Sequence, residues 1–163
     1  MTRWSPAYVG IGSNLGEPVR QVEAAFAALA GVPVTRLRAR SPLYRSAPLG
    51  PPEQPDYVNA AAELETRLPP AELLDALHGI EAKLGRTRAG PRWGPRTLDL
   101  DLLLYDDVVV STPALTLPHP GLTTRNFVVY PLADIAPELV LPDGQSLTGL
   151  CGRLGRDGLE RLS

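Results

Sequence analysis

Apolar residues recur along the first part of the chain in patterns that predict two strands and a helix. Residues 7–12 form an apolar run that indicates a buried strand. After Glu17-Pro18, apolar residues recur at helical spacing until Gly31, which predicts a helix between these points. Residues 34–40 alternate arginine with smaller side chains, the pattern of a strand with one solvent-facing side. The chain therefore opens with a strand, a helix and a second strand.

A similar pattern follows after a segment that is rich in proline and glycine. Residues 41–55 predict a long loop, of a kind that is usually functional in a compact domain. Residues 56–65 predict a strand, a helix begins at Pro70 and ends at Gly85, and residues 97–105 predict the fourth strand. The order β-α-β-β-α-β predicts an α+β protein with a ferredoxin-like core, in which helices pack on one face of an antiparallel sheet.

The remaining residues predict a C-terminal extension of this core. Short elements are expected around residues 127–135 and 147–154. A chain of 163 residues is long enough for one well-cored domain and short for two. We therefore expect a single domain over residues 1–163.

Composition excludes several classes of function. The formal net charge of -2 gives no general attraction to nucleic acid or to acidic membranes. Cys151 is the only cysteine, so neither an intramolecular disulfide nor a cysteine zinc cage can form. No apolar leader opens the chain, and no run of some twenty apolar residues follows. We expect a cytoplasmic monomer that binds neither nucleic acid nor membrane.

Two carboxylates in the fourth predicted strand form the strongest chemical signal. Asp99 and Asp101 share one face of that strand, about 7 Å apart along the chain. The other face is expected to carry four leucines: Leu98, Leu100, Leu102 and Leu104. Magnesium is usually bound by one or two carboxylates together with substrate phosphates. The pair therefore predicts a magnesium site that a phosphate ligand completes.

Arginines immediately before this strand strengthen the prediction. Four of them lie in a segment bounded by glycine and proline: Arg86, Arg88, Arg92 and Arg96. The planar guanidinium binds phosphate oxygens in pairs, so a loop of this composition could close over a polyphosphate. Together the two features predict a phosphate clamp beside a metal site.

Five segments, in order, give the chain a resemblance to a known family. They are YVGIGSNLG at residues 8–16, SPLYRSAPLG at 41–50, QPDYVNAA at 54–61, RWGPRTLDLD at 92–101 and LPH at 117–119. The chain resembles the 6-hydroxymethyl-7,8-dihydropterin pyrophosphokinases of folate biosynthesis. The resemblance implies transfer of pyrophosphate from ATP to the pterin hydroxymethyl group, with release of AMP in one in-line step and two magnesium ions.

The resemblance also implies roles for individual residues. The catalytic residues would be Arg86, Arg92, Asp99 and Asp101, and the two aspartates would hold both metal ions. The ATP-binding residues would be Glu81, Arg86, Arg88, Arg92, Trp93, Arg96, His119 and Arg125. The pterin-binding residues would be Ser46, Pro48, Leu49, Tyr57, Asn59, Trp93 and Phe127. The chain departs from the family pattern at His78 and Ala114, near the expected nucleotide.

Two alternatives from other classes remain at this point. Residues 10–16 contain G-x-G-x-x-x-G between a strand and a helix, which is close to a dinucleotide-binding turn, although that site needs a parallel β-α-β unit. A non-catalytic ferredoxin-like binding module would have the same fold without need of the aspartate pair. Magnesium-dependent nucleotide binding would separate the enzyme from both.

Overall fold

The computed structural model describes residues 3–14, 16–47, 56–84 and 98–162. The strands in these parts are β1 (Ser5–Ser13), β2 (Thr35–Arg40), β3 (Tyr44–Ser46), β4 (Tyr57–Thr66), β5 (Asp99–Tyr105), β6 (Val110–Ser111), β7 (Thr116–Leu117) and β8 (Leu159–Arg161). The helices are α1 (Pro18–Ala30), α2 (Pro70–Leu84), α3 (Asn126–Ile135) and α4 (Leu147–Leu154). Among the helices of these parts, none is both long enough and apolar enough to cross a membrane.

One six-stranded sheet organises the molecule. Its strands follow the order β5-β1-β4-β3-β8, and β2 pairs with β4 beside β3. Every strand pairing within the described ranges is antiparallel. The elements β1, α1, β2, β4, α2 and β5 supply the predicted β-α-β-β-α-β core, so the α+β prediction is confirmed. The antiparallel pairing of β1 also removes the dinucleotide-binding alternative, which needs parallel neighbours.

The two faces of the sheet bury separate apolar clusters. Val9 and Ile11 of β1 face the cluster beneath α1 and α2, whereas Tyr8 faces the cluster beneath α3 and α4. This alternation follows from the two-residue period of a strand. The predicted helices therefore lie on one face as expected, and the C-terminal extension covers the other face.

Two sequence predictions about this region are wrong. Residues 41–55 were expected to be a loop, but β3 lies within them and pairs with both β4 and β8. Leu104 was expected on the same face as Leu102, but it lies in the opposite cluster together with Leu103. The cause is a register shift in the pairing of β1 with β5, which places an extra residue in β5 and reverses the alternation beyond it.

Tyr44 joins β3 to α3 and provides a stability prediction. Its hydroxyl donates a hydrogen bond to Asp134, and the side chain is 2% exposed. Burial, followed by the hydrogen bond to Asp134, raises the pKa of Tyr44 from 10.0 to about 12. The stabilisation is therefore complete below pH 10 and is lost as the pH rises through 12.

We expect Tyr44→Phe to lower the free energy of unfolding by about 1–2 kcal/mol at neutral pH, because a part-buried hydrogen bond to a carboxylate is removed. The variant should also lose stability less steeply than the parent chain between pH 10 and 12. Urea unfolding across this pH range measures both effects. An unchanged dependence on pH in the variant would contradict the assignment to Tyr44.

Candidate active site

The floor of the candidate site is the middle of β1 and β5. Gly10 lies opposite Asp101 and Gly12 lies opposite Asp99 in the pairing of these strands. The four residues face the side of the sheet that α3 covers, and the two glycines carry no side chain into that space. A Cβ atom at Gly12 would lie 3.4 Å from Asn59 Oδ1, and one at Gly10 would lie 3.3 Å from Leu103. Glycine at both positions therefore keeps a cleft open beside the two carboxylates.

The first cavity lies in this cleft and has a volume of about 130 Å³. The start of α3 and the first residues of β4 contribute to its walls. The predicted site residues that line it are Ser46, Tyr57, Asn59, Asp99, Asp101, Arg125 and Phe127. Aromatic rings, a buried amide and two carboxylates thus surround one small cavity, which suits a flat heterocycle with many hydrogen-bonding groups.

Asn59 is held in a fixed orientation at the base of this cavity. Its Nδ2 donates a hydrogen bond of 2.7 Å to Ser46 Oγ, and both side chains are at most 5% exposed. One amide hydrogen is therefore used by the protein. The amide oxygen and the second hydrogen keep a defined direction toward their surroundings.

Tyr57 lines the first cavity together with Asp99. Burial, and secondarily the negative charge of Asp99, raise the pKa of the Tyr57 phenol above its ordinary value. The hydroxyl is therefore protonated at neutral pH and can donate a hydrogen bond.

A second cavity of about 340 Å³ lies beyond the outer edge of β5. The residues that line it come from α2, from β5, from the segment between β6 and β7, from β7 itself and from the turn after β7. They include Glu81, His78, Ala114, Thr116 and His119. Asp99 and Asp101 line this cavity as well as the first. The two cavities therefore meet at the aspartate pair.

His119 is oriented toward Asp101 by the backbone. The N–H of Gly121 donates a hydrogen bond of 3.0 Å to His119 Nδ1, which leaves the proton of the neutral ring on Nε2. His119 Nε2 lies 3.7 Å from Asp101 Oδ1. The imidazole thus presents a donor to the region where the two cavities meet.

Arg125 rests on Gly121 at the wall of the first cavity. A Cβ atom at Gly121 would lie 2.7 Å from both Cζ and Nε of Arg125, so a larger residue there would displace the guanidinium from this position. Arg125 thereby keeps a position close to the aspartates, in the lining of the same cavity.

The donor set at the aspartates suits magnesium only when a further ligand contributes. Among the described residues, no group of three or more His, Cys, Asp or Glu side chains could hold a metal ion. Two carboxylates beside open cavities match the way magnesium is bound, by a few carboxylates together with substrate phosphates and water. The residues present therefore fit a cation that arrives with, or is completed by, a phosphate ligand.

Comparison with known proteins identifies the family. The model of the 7,8-dihydro-6-hydroxymethylpterin-pyrophosphokinase (HPPK) family matches residues 8–137 of the chain. The chain belongs to the HPPK family. The family resemblance of the sequence is thereby confirmed, and the matched range contains both cavities and the aspartate pair.

Full-length relatives support this assignment. A 2-amino-4-hydroxy-6-hydroxymethyldihydropteridine pyrophosphokinase of Pseudomonas aeruginosa is 53% identical over 155 residues, which cover 95% of each chain. The Haemophilus influenzae enzyme of the same name is 50% identical over 144 residues, 88% of this chain and 89% of its own. That of Methylorubrum extorquens is 43% identical and covers 99% of both chains.

Solved structures show the same fold. A crystal structure of wild-type Plasmodium falciparum HPPK-DHPS matches with a TM-score of 0.74 at 12% identity, over 94% of this chain and 45% of that chain. A Plasmodium falciparum HPPK-DHPS double mutant with pterin and p-hydroxybenzoate matches with a TM-score of 0.75 at 11% identity, over 99% and 48%. The chain thus spans less than half of these HPPK-DHPS chains, and the likeness concerns the HPPK-like fold.

Apart from Asp99 and Asp101, which line both cavities, the HPPK residues predicted from sequence fall into three groups in the structure. The first cavity brings together the predicted pterin ligands Ser46, Tyr57, Asn59 and Phe127, as well as Arg125. Glu81 and His119 line the second cavity, where the Glu81 carboxylate accepts a hydrogen bond from the N–H of Leu100. Seven predicted residues lie outside the described ranges: Pro48, Leu49, Arg86, Arg88, Arg92, Trp93 and Arg96.

Sequence reasoning missed the contribution of Gly10 and Gly12 to the floor of the HPPK site. The prediction of a strand over residues 7–12 is confirmed, but the two glycines were considered for function only as part of a possible dinucleotide-binding turn. The available signal was their spacing, because two glycines at i and i+2 in a strand open the same face. Thr116 of β7 was missed as well, and nothing in its sequence surroundings singles it out.

Proposed function

We propose that this chain transfers the pyrophosphoryl group of ATP to the hydroxymethyl group of 7,8-dihydro-6-hydroxymethylpterin and releases AMP. The observation that carries the proposal is the meeting of two cavities at Asp99 and Asp101. A transfer between two substrates needs both reacting groups at one place, with negative charge neutralised there. Family membership and the names of the full-length relatives agree with this reaction.

The first cavity is the proposed pterin site. Tyr57 and Phe127 provide aromatic surfaces for a flat ring, and the fixed amide of Asn59 can pair with its hydrogen-bonding edge. In this orientation the hydroxymethyl group would extend toward the aspartates. The role of Asn59 is therefore to set the direction of the nucleophile as well as to recognise the ring.

The second cavity is the proposed nucleotide site. His119 directs Nε2 toward the region of the aspartates, where it can donate a hydrogen bond to a phosphate oxygen. Arg125, fixed over Gly121, brings a permanent positive charge to the same region from the first cavity. The predicted arginines of residues 86–96 would add further positive charge. The hydroxymethyl oxygen would bond to the β-phosphorus as the bond from that phosphorus to AMP breaks.

Asp99 and Asp101 are the proposed ligands of two magnesium ions. Bound metal would neutralise phosphate charge and lower the pKa of the attacking hydroxyl. The aspartates themselves need only keep their carboxylates directed into both cavities, which the pairing of β5 with β1 favours. We further propose that residues 1–163 fold as one domain around the six-stranded sheet, and that the protein works as a cytoplasmic monomer.

A product assay tests the proposed reaction. We expect AMP to appear when the chain is incubated with ATP, magnesium and 6-hydroxymethyl-7,8-dihydropterin, and not when the pterin is omitted. The 6-methyl analogue is the matched control, because it fits the same ring site and lacks the accepting hydroxyl. Formation of ADP would instead indicate an ordinary kinase, and AMP release without pterin would indicate hydrolysis. Either result would overturn the proposal.

A further inference from the structure

The edge position of β5 creates a structural requirement that Glu81 meets. Among the described residues, β5 is the last strand of the sheet on one side and pairs with β1 alone, so its outer edge faces no further strand in these ranges. On this outer side, the N–H of Leu100 donates a hydrogen bond of 2.7 Å to Glu81 Oε2. Leu100 is the residue between the two aspartates. The contact therefore acts on the backbone from which both carboxylates extend.

We propose that Glu81 is a positioning residue for Asp99 and Asp101. The distance of 2.7 Å lies at the short end of the range for N–H···O hydrogen bonds. This hydrogen bond fixes the path of the edge strand at the one residue that both aspartates adjoin. The inference rests on the proposed function, in which these aspartates hold the cation with the triphosphate.

The helix that carries Glu81 is itself firmly anchored. Leu77, one turn earlier on the same side of α2, is fully buried in the core beneath α1 and α2. The side chain of Leu100 is 2% exposed in the same core. Glu81 therefore connects two elements that share a rigid core, and the hydrogen bond links positions that have little freedom to move apart.

A second contact holds the outer edge of β5 on the far side of Asp101. The N–H of His119 donates a hydrogen bond of 2.9 Å to the carbonyl of Leu103. Hydrogen bonds at Leu100 and at Leu103 therefore hold the backbone of β5 on both sides of Asp101. Such support allows an edge strand to present ligands in a defined position, as a binding site requires.

Glu81 is not a further carboxylate of the metal site in this arrangement. Within the described ranges, no three His, Cys, Asp or Glu side chains are grouped so that they could hold a metal ion. The Glu81 carboxylate is instead engaged with the Leu100 N–H. Its effect on a cation must therefore pass through the aspartates.

The test compares three variants by isothermal titration with α,β-methylene-ATP, in magnesium and in EDTA. Glu81→Gln keeps a side-chain acceptor at the same reach, Glu81→Asp keeps the charge but is one methylene shorter, and Glu81→Ala removes both. We expect Glu81→Ala and Glu81→Asp to weaken analogue binding in magnesium by about tenfold to a hundredfold, the usual cost of losing a residue that supports a metal ligand. Glu81→Gln should bind within a fewfold of the parent chain.

The EDTA titrations separate positioning from direct contact. If Glu81 acts by positioning the aspartates, the weak binding of the analogue in EDTA should be the same in all variants, because only the metal-dependent part of the affinity is lost. An equal loss with and without magnesium, or a Glu81→Asp variant that binds better than Glu81→Gln, would overturn the proposal. Glu138→Gln, at an exposed position after α3, is the control for the same chemical change elsewhere.

Two further readouts keep the test decisive. Thermal unfolding of each variant identifies any general loss of stability, and the Gln and Asp variants still discriminate if Glu81→Ala does not fold. If the parent chain binds the analogue with magnesium but gives no pterin-dependent AMP, the proposed function has failed. If the parent chain gives AMP and the variants all bind normally, the positioning role has failed.

Discussion

Replacing Asp101 by asparagine should remove most pterin-dependent AMP release and leave the fold intact. The substitution keeps the size and shape of the side chain but takes away a charge from the place where both cavities meet. A metal ion contributes several kcal/mol to stabilising a phosphoryl-transfer transition state. We expect the loss of one of two carboxylate ligands to reduce kcat by about a thousandfold, which corresponds to about 4 kcal/mol.

The measurement is a steady-state AMP assay over a range of magnesium concentrations. The fold should not change, because the Asp101 side chain is 45% exposed and the leucines of β5 are untouched. Asp107→Asn is the matched control, since it makes the same change in the exposed turn directly after β5 and should retain activity. A kcat of Asp101→Asn within tenfold of the parent chain would refute the metal-ligand role.

The central elements of the fold could be predicted because their patterns are local. The buried positions of α1 are Val22, Ala25, Phe26 and Leu29, as the helical spacing indicated. The prediction failed where pairing between distant residues decides the structure. β3 is short and lies among prolines, and it is a strand because β4 and β8 flank it, the latter more than a hundred residues away in sequence. No local pattern contains that information.

The face of Leu104 shows the same limit at the level of single residues. Strict alternation places it with Leu102, and the register shift between Tyr8 and Val9 reverses it. The shift comes after Asp101, so the prediction that Asp99 and Asp101 share one face is unaffected. The chemically important half of β5 was thus predictable, and the other half depended on how its partner strand is paired.

The sequence predicted many residues of the site, but it did not predict that they line two separate cavities. Asp99 and Asp101 were expected at a metal site from spacing alone, whereas Ser46, Asn59 and Phe127 entered only through the family resemblance. Their assembly depends on the packing of α3 against the sheet, which sequence patterns do not encode. The Glu81 contact with Leu100 is likewise a tertiary feature, since 19 residues separate the two groups in sequence.

Replacing Asn59 by leucine should produce the second largest effect, and this effect should be confined to the pterin. Leucine has a similar volume, so the packing of β4 is kept, but the buried amide is lost together with its hydrogen bond to Ser46. A site built to pair with a polar edge loses strongly when one partner disappears, because buried groups remain unpaired. We expect kcat/KM for the pterin to fall by about a hundredfold to a thousandfold. The KM for ATP should stay within about twofold, because Asn59 lines the first cavity and not the second.

Two serine variants test whether the orientation of Asn59 determines pterin binding. Ser46→Ala removes the acceptor that orients the Asn59 amide, and we expect a loss of about tenfold in kcat/KM for the pterin, the cost of one buried hydrogen bond. Ser41→Ala is the matched control, because Ser41 Oγ also bonds to β4, at the N–H of Ala61, but lies outside the lining of the first cavity. Equal losses in both serine variants would mean that general stability of this edge, and not the orientation of Asn59, controls pterin binding. A change in the KM for ATP as large as that for the pterin would contradict the assignment of the two cavities to two substrates.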